Sequence, residues 1–225
     1  MHKNVMLYLL FLICNEVLMF TLEHISKSYK DKQILNDISF DAEEGECIGI
    51  LGTNGAGKST LLSCIAARYA NNKTISIGYL PQENPLFDEL KPVDNIKMWC
   101  KFKKNEILEK LEQPPLNTLK ITDFLDTPVK NMSGGMKKRL SLATVLINQP
   151  KVLLMDEPFA ALDLLAKEEI LSYMKEFLNN KGIIIAASHD KDLFDFCNHV
   201  FLLKDGTLHD TTKLNRINYK DMLRS

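Results

Sequence analysis

Apolar and polar positions change their period several times along the chain. Residues 21–29 (TLEHISKSY) and 34–40 (ILNDISF) alternate, which predicts two short strands with one buried face each. Residues 41–46 (DAEEGE) then read as a polar turn. CIGILG (47–52) is a continuous apolar strand that ends in a glycine-rich turn, and KSTLLSCIAARY (58–69) has the spacing of a helix. ISIGYLPQ (75–82) gives another strand, stopped at Pro81. Helical patches follow at 95–102, 105–113 and 116–125, broken by Pro114 and Pro115. Residues 133–149 predict a longer helix with Leu140, Ala143, Val145 and Leu146 near one face. KVLLMDEP (151–158) and GIIIAASHD (182–190) are apolar throughout, as strands buried on both faces of a parallel sheet are, and 164–180 is the crossover helix between them. FLLKDGTLHD (201–210) closes as a hairpin around Asp205 and Gly206. The expected architecture is an α/β sheet domain with a helical insertion at about 85–148, without internal repeats.

Composition narrows the class. The chain has 225 residues, 28 Lys+Arg against 29 Asp+Glu, and a formal net charge of −1, so no global electrostatic footprint for nucleic acid exists. With 45% apolar and 25% charged residues it matches an ordinary globular protein, which excludes disorder and collagen-like repeats. The five cysteines (14, 47, 64, 100, 197) form no CxxC pair, which speaks against a zinc site or disulfide framework and for a reducing compartment. Residues 1–19 stand apart. VMLYLLFLIC (5–14) is unbroken apolar but about half the length that a membrane-spanning helix needs, and no small-residue cleavage site follows it. Three readings stay open for it: an upstream extension before a natural start at Met19, a membrane-skimming anchor, or a buried helix.

Two segments carry chemistry. Gly52-Thr53-Asn54-Gly55-Ala56-Gly57-Lys58-Ser59 fits G-x-x-x-x-G-K-[ST] between a predicted strand and a predicted helix. Glycines there let successive N–H groups converge on phosphate oxygens, and the helix start adds about half a positive charge. Lys58 supplies a full charge to the terminal phosphates, the Ser59 hydroxyl can ligate Mg²⁺, and Thr60 can donate toward the α-phosphate. The second segment is the strand that ends at Asp156 and Glu157, two carboxylates at the carboxyl edge of a parallel sheet, where ligands of α/β folds sit. Asp156 is placed to hold the metal, and Glu157 to position a water for in-line attack on the γ-phosphate.

At Met132-Ser133-Gly134-Gly135-Met136 the sequence resembles the nucleotide-binding domain of the ABC (ATP-binding cassette) family, and the resemblance runs from about Phe20 to Gly206. Tyr29 is similar to the family's adenine-stacking aromatic, and Gln82 to the loop glutamine that contacts Mg²⁺ or water and senses a transmembrane partner. Ser133, Gly134 and Gly135 match the signature motif, Ala161-Leu162-Asp163 the loop after the catalytic carboxylate, and His189 the switch histidine. The resemblance implies a P-loop NTPase fold with a mainly parallel core sheet, a small antiparallel β-subdomain and an α-helical signature subdomain, spanning residues 20–225. It implies a Mg²⁺-dependent ATPase that pairs head to tail, as a homodimer or with a second cassette, so that each ATP lies between the phosphate loop of one subunit and the signature of the other. Asp163 would couple the two sites. It also implies a separate transmembrane permease subunit, a place on the cytoplasmic side of the membrane, and no nucleic-acid partner. The alternative within the family is a soluble ATPase acting on ribosomes or DNA. Two departures stand out: Met136 replaces the glutamine that usually ends the signature, and the short stretch between Lys58 and Gln82 implies that the antiparallel hairpin usual there is trimmed.

Overall fold

The computed structural model describes residues 19–211, apart from 31, 84 and 161. The apolar amino-terminal segment (1–18) therefore lies outside the described residues. Strands β1 (Met19–Tyr29) and β2 (Lys32–Glu43) form a two-stranded antiparallel sheet. A six-stranded sheet has the order β4-β5-β6-β3-β7-β8, with β3 (Cys47–Leu51), β4 (Ile77–Leu80), β5 (Val152–Asp156), β6 (Ile183–Ala187) and β7 (His199–Lys204) mutually parallel. β8 (Thr207–Asp210) returns antiparallel to β7 as the edge strand, through Asp205 and Gly206, both at positive φ. That turn is the hairpin expected from Asp-Gly.

Side chains along the central strands alternate between two apolar cores, which is why these strands read as unbroken hydrophobic runs. Leu153 and Met155 of β5 and Ile184 and Ala186 of β6 face one core. Their neighbours Val152, Leu154, Ile183 and Ile185 face the other. Helix α1 (Lys58–Tyr69) fills the second core with Leu61, Leu62 and Ile65, beneath the β1–β2 sheet. The first core is covered by the insertion, with α2 (Pro92–Lys97), α3 (Lys104–Leu111) and α4 (Gly134–Leu146), and by α5 (Leu164–Asn179) and α6 (Lys191–Phe196).

Several expected boundaries move. β2 continues past Phe40 because Ala42, buried, extends the alternation, so the turn shrinks to a tight bend at Glu44 and Gly45. The first helix of the insertion starts earlier than expected, with Pro92 in its first turn, where a missing N–H costs nothing, and it ends at Lys97. Residues 116–125 form two 3₁₀ turns rather than an α-helix, interrupted by Lys120 at φ 49°. The buried positions of α4 include Leu140, Ser141, Leu142, Ala143, Thr144 and Leu146, wider than one face, because the rest of the insertion packs around it; Val145 is only half-buried. Residues 70–76 contain no strand, in keeping with the trimmed hairpin.

Candidate active site

β3 lies near the middle of the parallel sheet, and the glycine-rich turn at its carboxyl end opens into a cleft of about 450 Å³. Gly55 and Gly57 hold φ of 83° and 105°, a region that β-carbons disfavour. At Gly57 a Cβ would also come within 2.8 Å of Ile34 Cγ2. The loop is wrapped around Lys58, whose side chain is 7% exposed; its ammonium donates to Gly52 O (2.8 Å) and Thr53 O (3.3 Å) and lies 3.9 Å from Glu157 Oε1. The pattern of backbone carbonyls holding the cation in place leaves the loop's amides and the start of α1 for an anion.

The opposite wall comes from the ends of β5 and β6. Glu157 follows β5 at φ 46°, and its amide donates to Ala187 O (2.8 Å). Its carboxylate accepts from Ser188 Oγ at Oε2 (2.7 Å), and Oε1 lies 3.0 Å from His189 Nδ1. The next residue, Asp190, is pinned by Lys167 of α5, whose ammonium donates to both carboxylate oxygens at 2.8 Å. The loop carrying His189 is thus tied at both ends, while the imidazole stands open to solvent. Asp156 is 2% exposed, and its Oδ1 is buried without a hydrogen-bond partner. Burial pushes its carboxyl above the usual range, against the pull of Ser59 and Lys58. An orphaned buried carboxylate oxygen beside the Ser59 hydroxyl fits a divalent cation, which would supply the missing partner. No cluster of three acidic, His or Cys residues that could hold a metal by itself occurs among the described residues, so such an ion would also need oxygens from its ligand.

Of the expected residues, the cleft brings together Tyr29, Asn54, Gly55, Gly57, Lys58, Ser59, Thr60, Gln82, Asp156, Glu157 and His189. Gly52 and Ala56 shape the loop from behind, through Gly52 O and the Ala56 amide bonded to Thr53 O. Ser133, Gly134, Gly135 and Asp163 do not line it. Ser133 caps α4 by accepting from the Met136 amide (3.2 Å), and Asp163 caps α5 by accepting from the Ala166 amide (2.8 Å). Those two helix starts touch each other: a Cβ on Gly135 would come within 2.8 Å of Ala166 Cβ. The Met136 side chain is half-buried against the first core.

Residues 35–160 match the family model described as ABC transporter. An uncharacterized ABC transporter ATP-binding protein of Methanocaldococcus jannaschii is 33% identical over 193 residues, covering 82% of this chain and 73% of the relative. The chain belongs to the ABC transporter family. It is an ABC ATPase cassette, which binds ATP and hydrolyses it. Among solved structures, the ATP-binding subunit of an ABC transporter superposes with a TM-score of 0.73 at 24% identity, covering 92% of this chain and 95% of the other. A dimeric ATP-binding cassette in a post-hydrolysis state with ADP and Pi gives a TM-score of 0.71 at 22% identity, covering 85% and 97%. Both show the shared fold.

Three residues of the cassette's site escaped the sequence reading. Ile34 lines the cleft from β2, and Ser188 orients Glu157; the one available signal for Ser188 was a polar residue ending an apolar strand. The third is Lys138, on α4 one turn beyond the signature, which is 2% exposed. Burial lowers its pKa from 10.5 to about 8, despite the attraction of Asp156 and Glu157. Because the unfolded chain binds this proton more tightly, stability rises with pH between about 8 and 10.5. Below that window the cost is complete, at most about 3 kcal/mol. Lys138→Gln is therefore expected to raise the melting temperature at pH 7, with an advantage that shrinks above pH 8. Thermal unfolding of both proteins between pH 6 and pH 10.5 checks it.

Proposed function

We propose that the cassette is the Mg²⁺-dependent, ATP-hydrolysing subunit of a transporter, acting as a head-to-tail dimer beneath a separate membrane-embedded permease. The observation that carries the dimer is the separation of two helix starts, each preceded by glycine or serine. The start of α1 opens into the cleft, whereas the start of α4, with Ser133 exposed, opens outside it. A signature that cannot serve its own cleft is suited to a phosphate held by a second cassette. Leu164 and Leu165, 72% and 67% exposed directly after Asp163, give the same surface an apolar rim.

Within the cleft, Tyr29 would stack on the base, and the loop amides with Lys58 and Thr60 would hold the phosphates. Mg²⁺, when bound, would neutralise charge on the phosphate oxygens, with Ser59, Asp156 and Gln82 to hold it. Glu157, oriented by Ser188, would align the attacking water, and His189 would exchange its contact with Glu157 for the γ-phosphate. Loss of that phosphate would remove the shared anion and weaken the dimer.

The permease partner is supported by Phe87, Met98 and Trp99, large apolar side chains 48–60% exposed on the insertion that begins after Gln82. Among the described residues no helix is long and apolar enough to cross a membrane, so the span would come from the partner. In that arrangement the cassette would lie on the cytoplasmic face, where ATP is available. Affinity purification of the Glu157→Gln variant from detergent-solubilised membranes with ATP tests the reading. A polytopic membrane protein in stoichiometric amount is the expected companion; ribosomal proteins or nucleic acid in its place would overturn the transport role.

A further inference from the structure

At the other edge of the main sheet, where β5 and β6 begin, lies a second cavity of about 380 Å³. Its walls come from both sides of a seam, Pro115 and Leu116 from the insertion and Tyr173 and Phe177 from α5. The two aromatic rings are stacked, with centroids 6.1 Å apart and planes at 29°. The Tyr173 ring is buried, and its hydroxyl makes no hydrogen bond among the described residues. The hydroxyl is not among the buried polar atoms that lack a partner, so it reaches the solvent of the cavity and is free to donate to a ligand atom there. Burial holds the phenol well above its ordinary pKa, so it remains a donor at neutral pH.

The charge of the lining has one sign. Lys110 and Lys151 contribute to it and no carboxylate does. Neither lysine joins an ion pair among the described residues; Lys110 rests over the Phe102 ring at 4.5 Å. We propose that this cavity is a second ligand site, for a small amphipathic organic anion. The apolar body of such a ligand packs against Leu116 and Phe177, its charge is met by the two lysines, and a polar substituent accepts from Tyr173. The cavity is also lined by Leu146, the last residue of α4, and by the carboxyl half of α5. An occupant therefore bridges the carboxyl ends of the two helices whose starts carry Ser133 and Asp163. The site does not depend on the transport reading, and its test does not use transport.

The test is a titration with the fluorescent aromatic sulfonate 8-anilinonaphthalene-1-sulfonate, performed on the full chain with saturating Mg-ATP to occupy the nucleotide cleft. Saturable binding of one probe per chain is expected. Tyr173→Phe, which keeps the ring, should weaken it about 2- to 10-fold, and Lys110→Gln with Lys151→Gln roughly 10-fold or more. Both variants should retain wild-type ATPase activity without probe, which establishes that they are folded. Binding that is absent, that ATP displaces completely, or that neither variant alters would overturn the proposal. Equal weakening by Met98→Ser with Trp99→Ser would overturn it too, because the probe would then be reporting the exposed patch of the insertion.

Discussion

Glu157→Gln is expected to lower the turnover of ATP by roughly 10² to 10⁴-fold while leaving ATP affinity equal or tighter. The substitution keeps the volume of the side chain, which is only 9% exposed, and preserves an acceptor for Ser188 Oγ. What it removes is the negative charge that, in the proposed mechanism, would orient and polarise the attacking water, an effect realised only along the reaction path. The same change takes away repulsion between the carboxylate and the γ-phosphate, so binding does not suffer. A split between kcat and Kd is therefore the signature, measured by single-turnover hydrolysis alongside calorimetric titration. A parallel fall in both would mean that Glu157 shapes the pocket instead of aligning water.

Lys58→Ala is expected to weaken ATP binding by roughly 10- to 150-fold, the worth of a charged hydrogen bond at ~1.5–3 kcal/mol. Two losses combine. The nucleotide loses a buried cation, and the carbonyls of Gly52 and Thr53, which now accept from that cation, lose the partner that holds the loop open. Lys58→Arg should not restore affinity, because a planar guanidinium cannot meet two loop carbonyls and a phosphate as a compact ammonium does. Calorimetry with ATP and with ADP separates the parts: loss of the direct charge is larger for ATP, whereas a collapsed loop penalises both nucleotides alike.

Much of this was readable because strong local signals agreed with the fold. β5 and β6 carry apolar residues on both faces, α1 starts where the glycine-rich turn ends, and Asp205-Gly206 sets the last hairpin. The insertion was less legible. Its helices are short and its turns at 116–125 are 3₁₀, so periodicity over so few residues could not separate one helix type from another. In the site, the phosphate loop and Asp156-Glu157 were evident as contiguous motifs. Ser188 and Lys138 were not, because their importance comes from tertiary neighbours: Ser188 meets Glu157 across 31 positions, and Lys138 is buried within the basic run Lys137-Lys138-Arg139, which by itself suggests a solvated face. Tyr173 escaped for the same reason, as an aromatic at helical spacing inside an apolar face.

The central proposition is that one terminal phosphate is gripped by two cassettes, and molar mass in solution tests it most directly. Light scattering of Glu157→Gln should report the monomer mass without nucleotide or with ADP, and twice that mass with saturating ATP. Adding Ser133→Arg should return the protein to a monomer even though calorimetry still finds ATP bound. A Glu157→Gln protein that stays monomeric with its cleft filled by ATP, or a dimer indifferent to the Ser133 substitution, would contradict the shared phosphate.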